Sequence, residues 1–269
     1  MSRPWILICP SSRGIGFHLT RHLLHTTRTP ILATTRSPDP SPLHTSLLAN
    51  LITPLDDPSC RLSILPSVDL TSESSLALAS RRAASRFPPD HHHLHLPFCL
   101  PGILHAEKST SQINYSDALE MLKVNVLGPM MLMKYFVGYM PRKATDMDLA
   151  GTELPPHAVW VNMGARVGSI GDNKLGGWFS YRSSKAAVHN LTRSLDRELS
   201  TRGGEKSMAA SYHPGTVKTD LSKEFWGNVR SDVLMEPEVA VEKMARVVMG
   251  LGLEQRGRCW DYKGQEVPP

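Results

Sequence analysis

The chain of 269 residues has only four cysteines, and they do not recur at the short spacings of a metal site or a small disulfide framework. Cys9, Cys60, Cys99 and Cys259 are scattered, and Cys9 and Cys99 fall in apolar runs, so the set reads as reduced packing residues. No apolar stretch reaches the roughly 18 residues needed to span a bilayer, which excludes a membrane-spanning helix. The first apolar run begins at Trp5, which leaves no room for a leader peptide, and a soluble cytoplasmic protein is expected. No run of like charge exceeds the pair Arg81-Arg82. The net charge of +5 is therefore dispersed and forms no stripe for nucleic acid. There is no internal repeat and no domain linker, so residues 1–269 read as one domain, long enough to bury a large core.

What the chain does have is alternation. Apolar runs at 5–9, 31–34, 61–65, 94–99, 158–162 and 208–212 are separated by helical stretches, the pattern of an α/β fold. The first run leads into Pro10-Ser11-Ser12-Arg13-Gly14-Ile15-Gly16 and then into an amphipathic helix over 17–25. Strand, glycine turn and helix make a dinucleotide-binding unit: the glycines let the backbone approach a pyrophosphate, and the helix N-terminus offers unpaired N–H groups to an anion. Ser12, Arg13 and Ile15 are the candidate contacts in this turn. An NAD-specific site places an acidic residue about 20 positions beyond the glycines, whereas this chain has Arg36 there. Arg36 with Arg13 would grip a 2′-phosphate through paired guanidinium donors, which favours NADP. Asp39 is the acidic counter-candidate, and each arginine is otherwise a solvated loop charge.

The segment Gly177-Trp178-Phe179-Ser180-Tyr181-Arg182-Ser183-Ser184-Lys185 puts a phenol and an ammonium four residues apart, on one helix face. A free tyrosine, with a pKa of about 10, is a poor acid or base at neutral pH unless a fixed positive charge favours its phenolate. Lys185 would supply that charge. The bland alternative is a surface pair at helical spacing.

Together with Gly102-Ile103-Leu104-His105-Ala106-Glu107-Lys108-Ser109, Val124-Asn125-Val126-Leu127-Gly128-Pro129 and His213-Pro214-Gly215-Thr216-Val217-Lys218-Thr219-Asp220, these blocks resemble the short-chain dehydrogenase/reductases. Within that family the chain is similar to the C-factor and sniffer-type carbonyl reductase branch. The resemblance implies a single-domain Rossmann fold, a doubly wound parallel sheet of about seven strands with helices on both faces. It also implies hydride transfer between NADP(H) and a carbonyl or alcohol, with Tyr181 as proton donor and Lys185 holding the ribose. By the same resemblance Asn125 holds a water that links the lysine to solvent. Asp69 lies beside the adenine, and Val217 and Thr219 contact the nicotinamide carboxamide. Asp69 reads equally as a cap on a helix starting near Thr71. A homodimer or homotetramer through the helix containing Asn125 rests on the resemblance alone.

Three departures stand out. Pro10 replaces the usual first glycine of the turn, which fixes a dihedral and removes a donor. Cys99-Leu100-Pro101-Gly102 replaces the family's Asn-Asn-Ala-Gly segment. Ala165 occupies the position of the active-site serine, a hydrogen-bond donor whose loss typically costs about 10²–10³ in rate. Ser169, on the same loop, is either its replacement or a loop-structuring residue. A lid is expected around 221–235, with Phe225 and Trp226 either facing Trp178 and Phe179 across a site for a small hydrophobic carbonyl or alcohol compound or packing the lid onto the body. His91-His92-His93 and His95 read as a solvated loop rather than a metal site, and 142–156 as a long connection that is mobile or serves as a partner surface. Two functions follow: an NADP-dependent reductase acting through Tyr181, Lys185 and Asn125, or a catalytically weak NADP(H)-binding sensor or scaffold.

Overall fold

β1 (Arg3–Cys9) is buried along its length after Arg3 because both its edges and both its faces are covered. Its alternate side chains enter two separate cores: Ile6 and Ile8 on one face of the sheet, Trp5, Leu7 and Cys9 on the other. The computed structural model describes every residue except 53, 54, 56 and 231, and at 228 the backbone only.

In chain order the helices and strands are α1 (Gly14–Thr26), β2 (Ile31–Thr34), α2 (Ser41–Leu48), α3 (Pro58–Arg61), β3 (Leu62–Leu65), α4 (Glu73–Arg86), β4 (His92–Cys99), α5 (Tyr115–Leu122), α6 (Gly128–Phe136) and β5 (Ala158–Met163). They continue with α7 (Phe179–Gly203), β6 (Ser207–His213), β7 (Thr216–Val217), β8 (Leu234–Met235), α8 (Pro237–Met249), β9 (Cys259–Asp261) and β10 (Glu266–Val267). The main sheet runs β10-β9-β6-β5-β4-β1-β2-β3. Its strands are parallel except β10, which returns antiparallel to β9. The expected seven parallel strands are thus present, with one antiparallel strand added at the edge.

Parallel neighbours require crossovers, and the crossover helices cover both faces. Leu19, Leu23 and Leu24 of α1, Leu43 and Leu47 of α2 and Val241, Met244 and Val248 of α8 build one core. Leu76, Ala79 and Ala83 of α4, Leu132 and Phe136 of α6 and Leu195 and Leu199 of α7 build the other. Strand order reverses between β1 and β4, and the carboxyl ends of these strands open the crevice where ligands bind in such sheets. Among the described residues no helix is long and apolar enough to cross a membrane.

Three expectations are corrected at the opposite end of the sheet and its surface. The histidines are only in part in a solvated loop: His91 is exposed in the turn, but β4 starts at His92, and His93 and His95 are buried within it. They form a chain in which the Ser2 hydroxyl lies 3.0 Å from His93 Nδ1, His93 Nε2 3.0 Å from His95 Nδ1, and His95 Nε2 2.9 Å from the Pro155 carbonyl. The carbonyl can only accept, so His95 Nε2 donates, His93 Nε2 donates to His95, Ser2 donates to His93, and both rings are neutral. For 142–156, the expected mobility gives way to ties with the rest of the fold. Ser2 N–H donates to the Asp146 carbonyl at 2.6 Å, Asp148 N–H to Ser2 at 2.9 Å, and Lys206 Nζ to Thr145 at 2.6 Å. Cys60, finally, is an exposed residue of α3 rather than a packing one, while Cys9, Cys99 and Cys259 are buried.

Candidate active site

The glycine turn is built on close approach. A Cβ on Gly16 would stand 1.9 Å from the Pro10 carbonyl oxygen, so only glycine lets α1 start against the end of β1. Gly14 adopts φ +54°, the left-handed region that suits glycine. Pro10 follows a cis peptide bond, and the donor it lacks is bypassed: Ser11 N–H reaches the Thr34 carbonyl at 3.0 Å and Ser11 Oγ donates to Ile8 at 2.8 Å. Leu100 N–H donates to the Cys9 carbonyl at 2.7 Å, so backbone takes over part of the tie between β1 and β4 that the absent amides would make. No acidic side chain lies in the first turn of α1, whose N-terminus points positive dipole into the crevice.

Ser12, Arg13 and Arg36 are exposed around this turn, and Ile15 is half-buried against the core. Arg13 lies 3.8 Å from Asp220 across the mouth of the crevice, and Thr219 touches the Gly14 side of the turn. Asp39, the acidic counter-candidate, is committed elsewhere: its carboxylate accepts the Ser41 N–H at 2.9 Å and is held below the usual carboxylate range by that bond. Asp69 accepts both the N–H and the hydroxyl of Thr71 at 2.8 Å, closing the turn before α4, while Ser72 caps the helix itself. Val217 is buried in β7 beside β8, and Thr219 caps the 3₁₀ segment Asp220–Asn228.

Tyr181 and Lys185 share a buried face of α7. Lys185 Nζ lies 5.7 Å from the Tyr181 ring centroid and donates to the Met163 carbonyl at 2.8 Å. Burial pushes the Tyr181 phenol well above its ordinary pKa, and burial lowers Lys185 to about 8. Asn125 sits in a π-helical turn, Lys123–Leu127, between α5 and α6, a distortion frequent at functional sites. Its side chain accepts from Ile103 N–H and donates to the Ile103 carbonyl, both at 2.9 Å, and donates to Ser184 Oγ at 3.0 Å. Both amide hydrogens are thereby engaged, and only the oxygen keeps a lone pair for a water.

Ala165 is buried, and its N–H points to His189 Nε2 at 3.4 Å. His189 lies one turn beyond Lys185 on α7, and burial with the neighbouring ammonium lowers its pKa to about 4. Ser169 is also buried; its hydroxyl accepts from Asp172 N–H at 3.0 Å and contacts the Pro269 carbonyl at 3.4 Å. Arg166 ties this loop to the sheet edge through Asp172 at 3.0 Å and the buried Asp261 at 2.8 Å.

The expected lid corresponds to Asp220–Asn228 followed by β8, with Ser231 of the 221–235 range outside the described residues. Phe225 packs against Trp178 at 5.0 Å between centroids with the rings tilted by 53°, and Trp178 meets the Tyr181 ring edge-on at 6.0 Å. Trp226 instead turns its indole N–H to Ser222 Oγ at 2.8 Å, and Phe179 is half-buried at the start of α7. Trp178 adopts φ 51°, ψ 42°, a left-handed conformation that costs a non-glycine residue about 1–2 kcal/mol. Sequence reasoning missed two further participants, Glu107 and Ser184. Ser184 had a signal, since it lies on the same helix face as Tyr181; Glu107 lay inside a quoted block, but its partners are distant in sequence.

No protein-family model matches the chain. The C-signal of Myxococcus xanthus is 30% identical over 156 residues, covering 58% of this chain and 81% of that protein. The 1-hydroxy-2-glutathionyl-2-methyl-3-butene dehydrogenase of Rhodococcus sp. is 29% identical over 198 residues, covering 73% of this chain and 76% of that one. Among solved structures, the NADPH-bound carbonyl reductase from chicken fatty liver superposes with a TM-score of 0.80 at 23% identity over the full length of both chains. The carbonyl reductase Sniffer of D. melanogaster gives 0.79 at 22% identity, again over the full length of both.

Proposed function

This chain belongs to the short-chain dehydrogenase/reductase family, and on that premise we propose that it is an NADP-dependent oxidoreductase that transfers hydride between the nicotinamide and a small hydrophobic carbonyl or alcohol compound. The observation that carries the reading is the Tyr181 phenol, buried, protonated at neutral pH and one helical turn from the Lys185 ammonium. Carbonyl reduction leaves negative charge on oxygen, and Tyr181 holds the proton that quenches it. Lys185 then favours the phenolate left behind, because an adjacent cation stabilises the charged form.

The chain's residues fit the dinucleotide. Gly16 seats α1 against β1, and Gly14 and the N-terminus of α1 offer backbone approach and positive potential to a pyrophosphate, with Ser12, Arg13 and Ile15 around it. Arg36 is exposed beyond β2 and takes the 2′-phosphate with Arg13; Asp69 flanks the adenine, and Val217 and Thr219 the carboxamide. When bound, NADPH supplies the hydride. Phe225 and Trp178 form an apolar wall over Tyr181, which suits a hydrophobic substrate. Tyr115, Leu119, Leu122 and Met130 leave apolar side chains exposed along α5 and α6, which supports a homodimer or homotetramer through this helix.

A second reading, a catalytically weak NADP(H)-binding sensor, is favoured by the missing hydroxyl at Ala165 and by the engagement of Ser169 with Asp172 and Pro269. Parallel fluorescence titrations of NADPH and NADH, with Arg36→Ala as the control, test the cofactor assignment. The expected outcome is preferential NADPH binding weakened about tenfold or more by Arg36→Ala, consistent with loss of a charge-assisted contact. Binding of neither nucleotide would sink both readings.

A further inference from the structure

We infer that Glu107 is a positioning residue for Tyr181: its buried carboxylate clamps the first turn of α7 and so sets where the phenol stands. The inference rests on the reading of Tyr181 as proton donor, but the clamp itself is visible in the geometry.

Glu107 is 3% exposed, in a segment, residues 102–107, without regular secondary structure. A carboxylate removed from water is unfavourable unless donors surround it. Among the described residues no lysine, arginine or histidine pairs with Glu107; its donors come from one residue of α7. Glu107 Oε1 accepts the Ser180 hydroxyl at 2.5 Å and Oε2 the Ser180 N–H at 2.8 Å. The Glu107 backbone carbonyl accepts the Trp178 N–H at 2.6 Å. Trp178, the residue preceding α7, offers no side-chain cap, and the first turn contains no acidic residue of its own. The cap of this 25-residue helix is therefore delivered from another part of the chain, where the positive end of the helix dipole favours a negative charge.

The same segment is held at its other end. Ile103 is paired in both directions with Asn125, and Asn125 also binds Ser184. Ser180 and Ser184 are one turn apart and flank Tyr181 in sequence. The strap from Ile103 to Glu107 thus grips α7 on both sides of Tyr181, through a side-chain amide at one end and a carboxylate at the other. Glu107 additionally holds the backbone of Trp178, whose ring is the apolar neighbour of the phenol. None of these contacts touches the reacting atoms, so the effect of Glu107 is transmitted through the placement of Tyr181 and Trp178.

The test uses the full chain labelled with ¹³Cζ-tyrosine, six residues in all, with the Tyr181 resonance assigned by Tyr181→Phe. Glu107→Gln keeps one oxygen acceptor for Ser180 N–H, Glu107→Ala removes both, and Ser180→Ala approaches the clamp from the other side. The expected result is that the Tyr181 resonance moves in all three variants, most in Glu107→Ala, while the other tyrosines stay in place. In steady-state reduction of a carbonyl substrate, kcat falls about 10-fold for Glu107→Gln and about 100-fold for Glu107→Ala, the scale of a misplacement near 1 Å. The NADPH dissociation constant stays within about twofold of wild type, because the hydrogen bonds of the clamp go to Ser180 and Trp178 and to no residue of the glycine turn. Ser180→Ala combined with Glu107→Ala adds little, since both remove the same contact. An unmoved Tyr181 resonance in Glu107→Gln and Ser180→Ala overturns the inference, as does a parallel loss of kcat, NADPH affinity and melting temperature that marks general unfolding. A resonance that moves in the variants while the wild-type protein shows no carbonyl turnover upholds the clamp and sinks the assignment of Tyr181 as proton donor instead.

Discussion

Asn125 and Ile103 close a ring of two hydrogen bonds, 2.9 Å in each direction, so that a side-chain amide pairs with a backbone peptide as one strand pairs with another. The π-helical turn brings Asn125 to a segment that has no ladder of its own. Replacing Asn125 by alanine leaves the Ile103 N–H, the Ile103 carbonyl and the Ser184 hydroxyl without this partner. A loss of about 2–4 kcal/mol is expected in urea unfolding, because buried unpaired groups each cost about 1–3 kcal/mol and relaxation recovers part. An unfolding midpoint equal to wild type would show that water replaces the amide at no penalty.

Tyr181→Phe keeps the ring that packs against Trp178 and removes only the hydroxyl. Carbonyl reduction is expected to fall about 10³-fold, within the range of a lost general acid, while the NADPH titration stays within about twofold. Persistence of turnover would move the proton donor elsewhere in the site.

Ala165→Ser restores a hydroxyl at the position where the family pattern has one. The backbone N–H of Ala165 is already anchored by His189, so the new side chain enters a fixed loop. An increase of about 10²-fold in kcat is expected, the lower end of the range for one oxyanion donor. Ser169→Ala is the companion measurement: a change of less than about threefold assigns Ser169 to loop structure, and a loss of about 10² makes its hydroxyl the substituted donor.

Burial holds His93 at about 4 and His95 at about 3, below the ordinary 6.5 of the unfolded chain. Between those values the unfolded chain binds more protons than the folded one. The stability linked to these rings is therefore fully present above about pH 6.5 and is lost as the pH falls towards 3. Urea midpoints at pH 7.0, 5.5 and 4.0 are expected to fall along this limb, and the double variant His93→Phe, His95→Phe is expected to flatten it. An equally steep acid limb in the variant would assign the loss to other groups, the buried His189 and His213 among them.

The strands, the glycine turn and the Tyr181–Lys185 pair were legible because each is a local pattern: an apolar run, a turn with its flanking helix, a spacing of one helical turn. The buried histidines were not, because Pro88-Pro89-Asp90 signals a turn and polar rings argue for solvent. What buries them is Ser2 and Pro155, 91 and 60 residues away. Glu107 has the same obscurity, since Ser180 lies 73 positions downstream. Ser169 was readable as a residue but not as a contact, because its partners, Asp172 and Pro269, depend on how β10 brings the tail back to the loop.

β1 lies between β2 and β4, with Ile6 opposite Ile31 on one edge and Leu96 on the other. During synthesis β1 thus gains one neighbour early, but its second only after the chain has passed Cys99. Until then its β4-facing edge is an open, apolar template, the kind of surface on which nascent chains aggregate. The half of the crevice that surrounds the glycine turn is translated first, yet it must wait for the residues that close it. A mutation that slows the docking of β4 is therefore expected to lower yield in the cell even where it leaves the finished enzyme intact.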